Sequence, residues 1–413
     1  MKESPDARSP AKSGSEMTRR HLLRAALVTA GALSLPASPA DAASERQRQF
    51  ELVLESVSRM PVPGQINWFE AVLGPSGSLW PLIREGDFSD AALDLLFRVL
   101  ANISNALNGG DTAGPQMRQY RERLPDISDI PHTYTLAADM TDGSVRDIGN
   151  VQATSYSGKL YLQSSRHVID VFRETHPDFV KAFHVPARLS PQDPQPDVAV
   201  ARLSRVPITD ESDMRVIDIP SDFNPREAGG QVNVIIGFKE DGGIVRHAGI
   251  VLPTPPAMLS RLHAYLGLSP VSSIDQFETF AMMQHGGLML MPSFFAEVAT
   301  GGLRAAGRSG SLRLSYSPKH RSFIPSSNFM AMIMEKQVNG LSLGFVDSAT
   351  HAMRAYREAE ERSKKQAPMR VLQPRPVVAM KGYFEISSGV YLRDFQRSVG
   401  AFETVVVPQN ARG

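Results

Sequence analysis

The stretch IGNVQATSYSGKLYLQSSRHV, residues 148–168, joins alternating and β-branched residues to a turn signal and ends beside a histidine. Ser157-Gly158 divides it into two runs of strand length. His167 directly follows the second run, which otherwise has the composition of a buried strand. The stretch therefore predicts a β-rich domain and raises the question whether His167 is a structural residue or a general base.

The same β character continues along the chain in short apolar runs separated by proline, glycine and aspartate turns. Their modest spacing favours an antiparallel barrel or sandwich, because the alternation of strands and helices that marks a parallel sheet is missing. The clearest runs are DVAVARL, MRVIDIP, VNVIIGF, GIVRHAGIVL, LRLSY and NFMAMIM. The expected fold class is mostly β with added helices.

Helical patterns lie on both sides of this region. Over residues 44–124 apolar side chains recur three and four positions apart, with Asp87 and Ser89 as candidate N-caps. A charged helical pattern, VDSATHAMRAYREAEERSKKQ, follows the β region, and its charges favour a solvated face. The tail from Arg370 is either an added strand or an extended segment.

Four segments follow from these patterns. They are an export signal at 1–42, a helical segment at 43–128, a β domain at 129–346, and a C-terminal helix with its tail at 347–413. An apparently helical insertion interrupts the β domain at 255–280. The apolar stripes of the N-terminal helices must be buried somewhere, so these helices are a removable pro-segment, a brace on the β domain or a partner-binding domain.

The first segment has the layout of an export signal. Arg19 and Arg20 precede an apolar run, residues 25–36, that is too short to span a bilayer, and small residues lead up to a cut after Ala42. The paired arginines resemble the bacterial twin-arginine signal, which exports folded proteins. We expect a periplasmic or secreted chain that begins at Ala43, with no membrane insertion after the signal is removed.

Composition excludes several kinds of site and partner. The net charge is +1 for the 413 residues and about −1 after Ala42, so neither nucleic acid nor an anionic membrane is an expected partner. The chain has no cysteine, and no pair of histidines has metalloprotease spacing. We therefore expect no cofactor, no metal and no disulfide, while the oligomeric state stays open.

Three short pieces bring together the residue types of nucleophilic catalysis. In chain order they are YLQSSRHVID with His167, PDVAVARL with Asp197, and AAGRSGSLRL with Ser309. A serine hydroxyl is a poor nucleophile until an imidazole accepts its proton, and a carboxylate fixes the tautomer of that imidazole. Each residue alone has a structural explanation, and the three together predict a catalytic set.

In this order the pieces resemble the trypsin-like, chymotrypsin-fold serine proteases, which have the serine in G-x-S-G-[GS] and the aspartate in D-[IV]-A-[VL]. The likeness includes GGQVNVIIGF and covers roughly residues 133–344. It implies two six-stranded antiparallel β-barrels and a serine endopeptidase acting on polypeptides, with Ser309 as nucleophile, His167 as base and Asp197 as its orienting acid.

The resemblance also assigns residues around the serine. It implies that the amides of Gly307 and Ser309 form the oxyanion hole. It places Leu303, six residues before the serine, at the base of the specificity pocket, where an apolar side chain argues against Lys or Arg substrates. Arg304 or Arg308 near this pocket would instead favour an acidic substrate side chain.

Two alternatives remain open. The sequence departs from the family pattern at Arg166, Arg308 and Leu312, which favours a catalytically inactive trypsin-fold binding protein of the cell envelope. An esterase would use the HGG segment at 285–287, but its acid and histidine would have to follow the serine. Only a charged helical stretch containing His351 is available there, so we prefer the trypsin-like interpretation.

Overall fold

A computed structural model gives the fold. The residues that it describes are 39–73, 88–107, 115–125, 133–140, 143–187, 196–206, 216–225, 232–238, 244–250, 252–253, 261, 264–265, 289–293, 309–338, 341–346, 349–365, 367–371, 383–394 and 403–404. The export signal expected at 1–42 lies outside them except for its last four residues.

The N-terminal part of the described chain is helical, as its periodicity predicts. Its helices are α1 (Pro39–Ser58), α2 (Val62–Trp68, continued by a π-helical turn at Phe69–Leu73), α3 (Asp90–Leu107) and α4 (Pro115–Glu122). Ser89 is the predicted N-cap of α3, since its Oγ accepts a hydrogen bond of 3.1 Å from the amide of Ala92. The other candidate cap, Asp87, lies outside the described residues.

The remaining helices and strands begin at Thr133. In chain order they are β1 (Thr133–Asp139), β2 (Val145–Tyr156), β3 (Lys159–Ser165), α5 (Arg166–Asp170), α6 (Pro177–Ala182), β4 (Val198–Arg202), β5 (Ile217–Ile219), β6 (Val232–Phe238), β7 (Ile244–Ile250), β8 (Leu252–Pro253), β9 (Met289–Ser293), β10 (Leu312–Ser317), β11 (Ser322–Val338), β12 (Leu341–Val346), α7 (Ala349–Ser363), β13 (Tyr383–Ser387), β14 (Val390–Asp394) and β15 (Glu403–Thr404). Each of the six predicted apolar runs either contains one of these strands or lies within one.

The first sheet is built around residues 148–168, which contain most of β2 and all of β3. Its order is β13-β14-β1-β2-β3-β4, with β5 alongside β2. Ser157 and Gly158, at φ of 50° and 69°, form a two-residue turn between β2 and β3, which confirms the predicted turn. The hairpin of β13 and β14 pairs with β1, so the C-terminal tail contributes added strands.

The second sheet carries the N-terminal helices. Its order is β15-β7-β6-β10-β11-β12-β9-β8, and all of its pairs are antiparallel except β15 with β7. Phe97 and Leu100 of α3 share one apolar core with Val234 of β6 and Leu312 of β10. The N-terminal helices therefore form a layer on this sheet, which is the arrangement that a brace requires.

Neither sheet closes on itself among the described strands. The chain is mostly β with added helices and has two largely antiparallel sheets, and the two closed barrels implied by the resemblance are not formed by these pairings. Strands β4 and β13 are the two edges of the first sheet and would pair with each other if the sheet closed. The free backbone edge of β4 is instead hydrogen-bonded to two segments outside the named strands. His184 exchanges backbone hydrogen bonds with Val200, and the Met369 amide donates to the carbonyl of Arg202.

Helix α7 packs against the first sheet with one face and exposes Arg357, Glu361 and Arg362 on the other. Tyr356 is fully buried against Tyr161 of β3, and its hydroxyl bonds Thr154 and Gln163. Glu360 pairs with Lys159 of β3. No helix within the described ranges is long and apolar enough to cross a membrane.

Candidate active site

His167 lies in the first turn of α5, directly after β3. Strand β3 ends at Ser165 with an extended backbone, and the next residue begins the helix. Because Ser165 pairs with Val198 of β4, the residue before β4 lies opposite the start of α5. That residue is Asp197. Adjacent antiparallel strands therefore bring together two residues that are thirty positions apart in the chain.

The side chains of His167 and Asp197 are directly hydrogen-bonded. The distance from His167 Nδ1 to Asp197 Oδ2 is 2.8 Å, and the backbone amide of His167 donates to Asp197 Oδ1 at 2.9 Å. A carboxylate can only accept, so Nδ1 carries the proton and Nε2 keeps its lone pair. Asp197 is 10% exposed and His167 is 44% exposed. The imidazole is thus oriented by a sheltered acid while solvent or a substrate can reach it.

The pKa of His167 follows from these neighbours. Partial burial lowers the pKa of His167, but the hydrogen bond to Asp197, the charge of Asp197 and the charge of Asp170 together raise it above its ordinary value of 6.5. An imidazole with a raised pKa is a stronger proton acceptor. This is the property that a general base requires.

Arg166, which departs from the small residue usual in the resembled family, is accommodated locally. Its Nε lies 3.1 Å from Asp170 Oδ2 on the same helix, and its backbone amide donates to the carbonyl of Asp197. The guanidinium thus has a partner other than the carboxylate of Asp197. The backbone of Arg166 adds a further bond between α5 and the start of β4.

Ser309 lies at the start of the turn that leads into β10 and is half-buried. Its carbonyl accepts a hydrogen bond of 3.0 Å from the amide of Asn150 in β2, so the serine is attached to the first sheet. Gly310 follows at a φ of 82°, a left-handed conformation that other residues rarely adopt. The glycine that follows the serine in the predicted motif is therefore required by the backbone.

The turn at residues 309–311, called the serine turn below, and helix α5 approach each other at Gly149. A side chain at Gly149 would lie 2.7 Å from Val168 Cγ1 and 3.2 Å from the carbonyl oxygen of Ser309. Val168 is the residue after His167. The lack of a side chain at Gly149 thus lets the histidine segment and the serine turn approach each other across β2.

Other predicted residues of the site lie outside the described ranges. These are Gly307 of the expected oxyanion hole, Leu303 and Arg304 of the specificity pocket, and Arg308. The esterase segment at 285–287 also lies outside them. His351, the histidine after the serine that an esterase would have to use, is buried in α7.

A second histidine and carboxylate pair lies away from the serine turn. His184 Nε2 is 2.8 Å from Glu358 Oε2 of α7, and Arg354 also contacts Glu358. Burial of His184, with the charges of Arg362 and Arg354, outweighs its hydrogen bond to Glu358 and lowers the pKa of His184 below 6.5. This pair is a natural control for the first.

Sequence reasoning missed the polar side chains that β2 directs at the serine turn. Asn150 and Gln152 are both buried, and each donates a hydrogen bond to a residue that follows Ser309. Their signal is two amide residues at alternate positions of β2, with the apolar Val151 between them. Nothing in the sequence indicates which partner they have, because the partners are about 160 positions away.

No family model matches the chain, and no curated protein matches it significantly. Among the described residues, no group of three or more His, Asp or Glu side chains could hold a metal ion.

Proposed function

We propose that the chain is a serine endopeptidase that acts through Ser309, His167 and Asp197. The observation that carries this proposal is the 2.8 Å contact between His167 Nδ1 and Asp197 Oδ2, with the second carboxylate oxygen held by the His167 amide. A carboxylate held at two points orients the imidazole and leaves Nε2 available to accept a proton.

The reaction would be acyl transfer to water. Ser309 Oγ attacks the peptide carbonyl while His167 Nε2 takes its proton, and Asp197 stabilises the imidazolium that forms. His167 then gives this proton to the leaving amine as the peptide C–N bond breaks. In the second half, His167 takes a proton from water, the resulting hydroxide attacks the acyl ester, and the proton returns to Ser309 Oγ.

The oxyanion formed in both halves needs amide donors. We assign this role to the backbone N–H groups of Gly307 and Ser309, from the position of these residues in the serine motif. Losing one such donor costs about 10²–10³ in rate, so the conformation of the serine turn matters as much as the nucleophile. The left-handed Gly310 supports a fixed turn at this point.

The finer fold belongs to the same proposal. Two β-barrels of the chymotrypsin type would place the histidine and the acid on one barrel and the serine on the other. The division of these residues between the two sheets is consistent with this arrangement. To close each sheet into a barrel, strand pairings in addition to the described ones would be needed.

Labelling with a fluorophosphonate probe tests the proposal. We expect the purified protein to label and Ser309→Ala to abolish labelling. Asp197→Asn should reduce the labelling rate by about 10⁴, because the imidazole loses the partner that fixes its tautomer. His167→Ala should reduce it as strongly. The matched control is His184→Ala, which removes the histidine of the pair with Glu358 and should leave the rate unchanged.

Cleavage of a fluorogenic peptide mixture then separates a peptidase from an esterase. A folded protein that neither labels nor cleaves would refute the enzyme and favour the inactive binding protein. Labelling that survives Ser309→Ala would reject this nucleophile.

We also propose that the chain is exported by the twin-arginine route and cut after Ala42. This cut would fall within α1, whose first buried residue is Phe50, so no described core contact of the helix would be removed. The N-terminal sequence of the protein recovered from the periplasm tests this. A variant with lysine in place of both Arg19 and Arg20 should stay in the cytoplasm as the uncut chain.

A further inference from the structure

We infer that Gln152 and Asn150 are positioning residues that hold the turn after Ser309 in its reactive conformation. This inference rests on the proposed function and extends it to β2 of the opposite sheet. Neither side chain has a role in the proposed chemistry. Gln152 acts through the carbonyl of Gly310, and the Asn150 side chain acts through the hydroxyl of Ser311.

The first contact is made by Gln152. Its Nε2 donates a hydrogen bond of 3.0 Å to the carbonyl of Gly310, and both residues are buried. A buried carbonyl without such a donor would be costly, so this bond determines the direction of the peptide group between Gly310 and Ser311.

The second contact is made by Asn150. Its amide Nδ2 donates to Ser311 Oγ at 3.1 Å, while its backbone amide donates to the carbonyl of Ser309. Its own backbone carbonyl accepts from Ser164 Oγ at 2.6 Å, which attaches Asn150 to the strand that leads to His167. The same residue is thus bonded to the serine turn and to the neighbouring strand.

Together these bonds determine the orientation of two successive peptide groups. The carbonyl of Ser309 lies on one side of Gly310 and the carbonyl of Gly310 on the other, and each has a donor from β2. The φ and ψ angles of Gly310 are therefore constrained at both ends. Since Ser309 directly precedes it, the direction of the nucleophile is constrained as well.

A pair of matched variants tests this inference. Gln152→Met keeps the length of the side chain and removes the donor to Gly310. The control is Gln163→Met, because Gln163 is the cross-strand partner of Gln152 in β3, is equally buried, and bonds the hydroxyl of Tyr356 on α7. Both variants lose a buried amide, and the first loses the described hydrogen bond to Gly310.

The first measurement is amide hydrogen exchange of the backbone at residues 309–316. We expect faster exchange in Gln152→Met than in the wild type and no change in Gln163→Met, with similar midpoints of unfolding for the two variants. Equal exchange at these residues in both variants would overturn the inference. Asn150→Leu is expected to increase exchange in the same place and keeps the test decisive if Gln152→Met does not fold.

The second measurement separates positioning from binding. The maximal inactivation rate by the fluorophosphonate should fall by about ten- to a hundred-fold in Gln152→Met, while the probe concentration for half-maximal rate and the pH midpoint stay as in the wild type. An unchanged maximal rate in a labelling enzyme would also overturn the inference. If the wild-type protein does not react with the fluorophosphonate, the proposed function is refuted. The hydrogen-exchange comparison then tests by itself whether Gln152 and Asn150 hold the turn after Ser309.

Discussion

Replacing Gly310 by alanine would test the close approach between the serine turn and β2. Two structural penalties apply. A left-handed φ of 82° costs an alanine about 1–2 kcal/mol. The added Cβ would overlap the backbone oxygen of Asn150 and lie 2.8 Å from Ser164 Oγ, and overpacking of this kind costs about 1–3 kcal/mol. The expected loss of unfolding free energy for Gly310→Ala is therefore about 2–5 kcal/mol.

The chain offers a matched control for the first penalty. Gly143 has almost the same φ, 81°, but a Cβ there would meet no atom of the described residues within 4 Å. Gly143→Ala should therefore lose only about 1–2 kcal/mol. The assay is urea unfolding, read as a shift in midpoint at constant slope. Equal losses in the two variants would show that Gly310 does not lie against β2, and the described attachment of the serine turn would be wrong.

Three further predictions concern titration and the core. The labelling rate of the wild type should be half-maximal above pH 6.5, because reaction needs neutral His167 and its pKa is raised; a midpoint at or below 6.5 contradicts this. The folded state should lose stability below pH 6.5, because the lowered pKa of His184 means that the unfolded chain binds this proton more tightly than the folded chain. The difference in unfolding free energy between pH 7 and pH 5 should therefore be smaller in His184→Gln than in the wild type. Tyr356→Phe should cost about 1–3 kcal/mol in unfolding free energy, because buried partners lose the hydroxyl; a shift in urea midpoint near zero would contradict the described network.

Local patterns were sufficient to predict most elements. The turn at Ser157-Gly158, the cap at Ser89 and the strands in the six apolar runs depend on residues close together in the chain. The pairing of the C-terminal hairpin with β1 could not be predicted in this way. A strand adds to a sheet edge through backbone groups, and these have no sequence signature.

The candidate site was accessible to sequence reasoning only in part. The order of three short motifs, and their resemblance to those of the trypsin-like serine proteases, led to the prediction of His167, Asp197 and Ser309 as a set. The tertiary structure adds the two hydrogen bonds that His167 donates to Asp197, the approach of the serine turn to Gly149, and the contacts of the Asn150 and Gln152 side-chain amides. Those contacts depend on which strands are neighbours.

The sequence by itself determined that this protein is mostly β with helices at both ends, and it determined the identity of the residues proposed to react. Periodicity, turn residues and side-chain chemistry are local properties, so they can be read without a fold. Only the tertiary structure decided that the N-terminal helices cover the second sheet, that the described strands leave both sheets open, and that β2 holds the serine turn. These are long-range contacts, and the free energy of burying one surface against another depends on both surfaces at once.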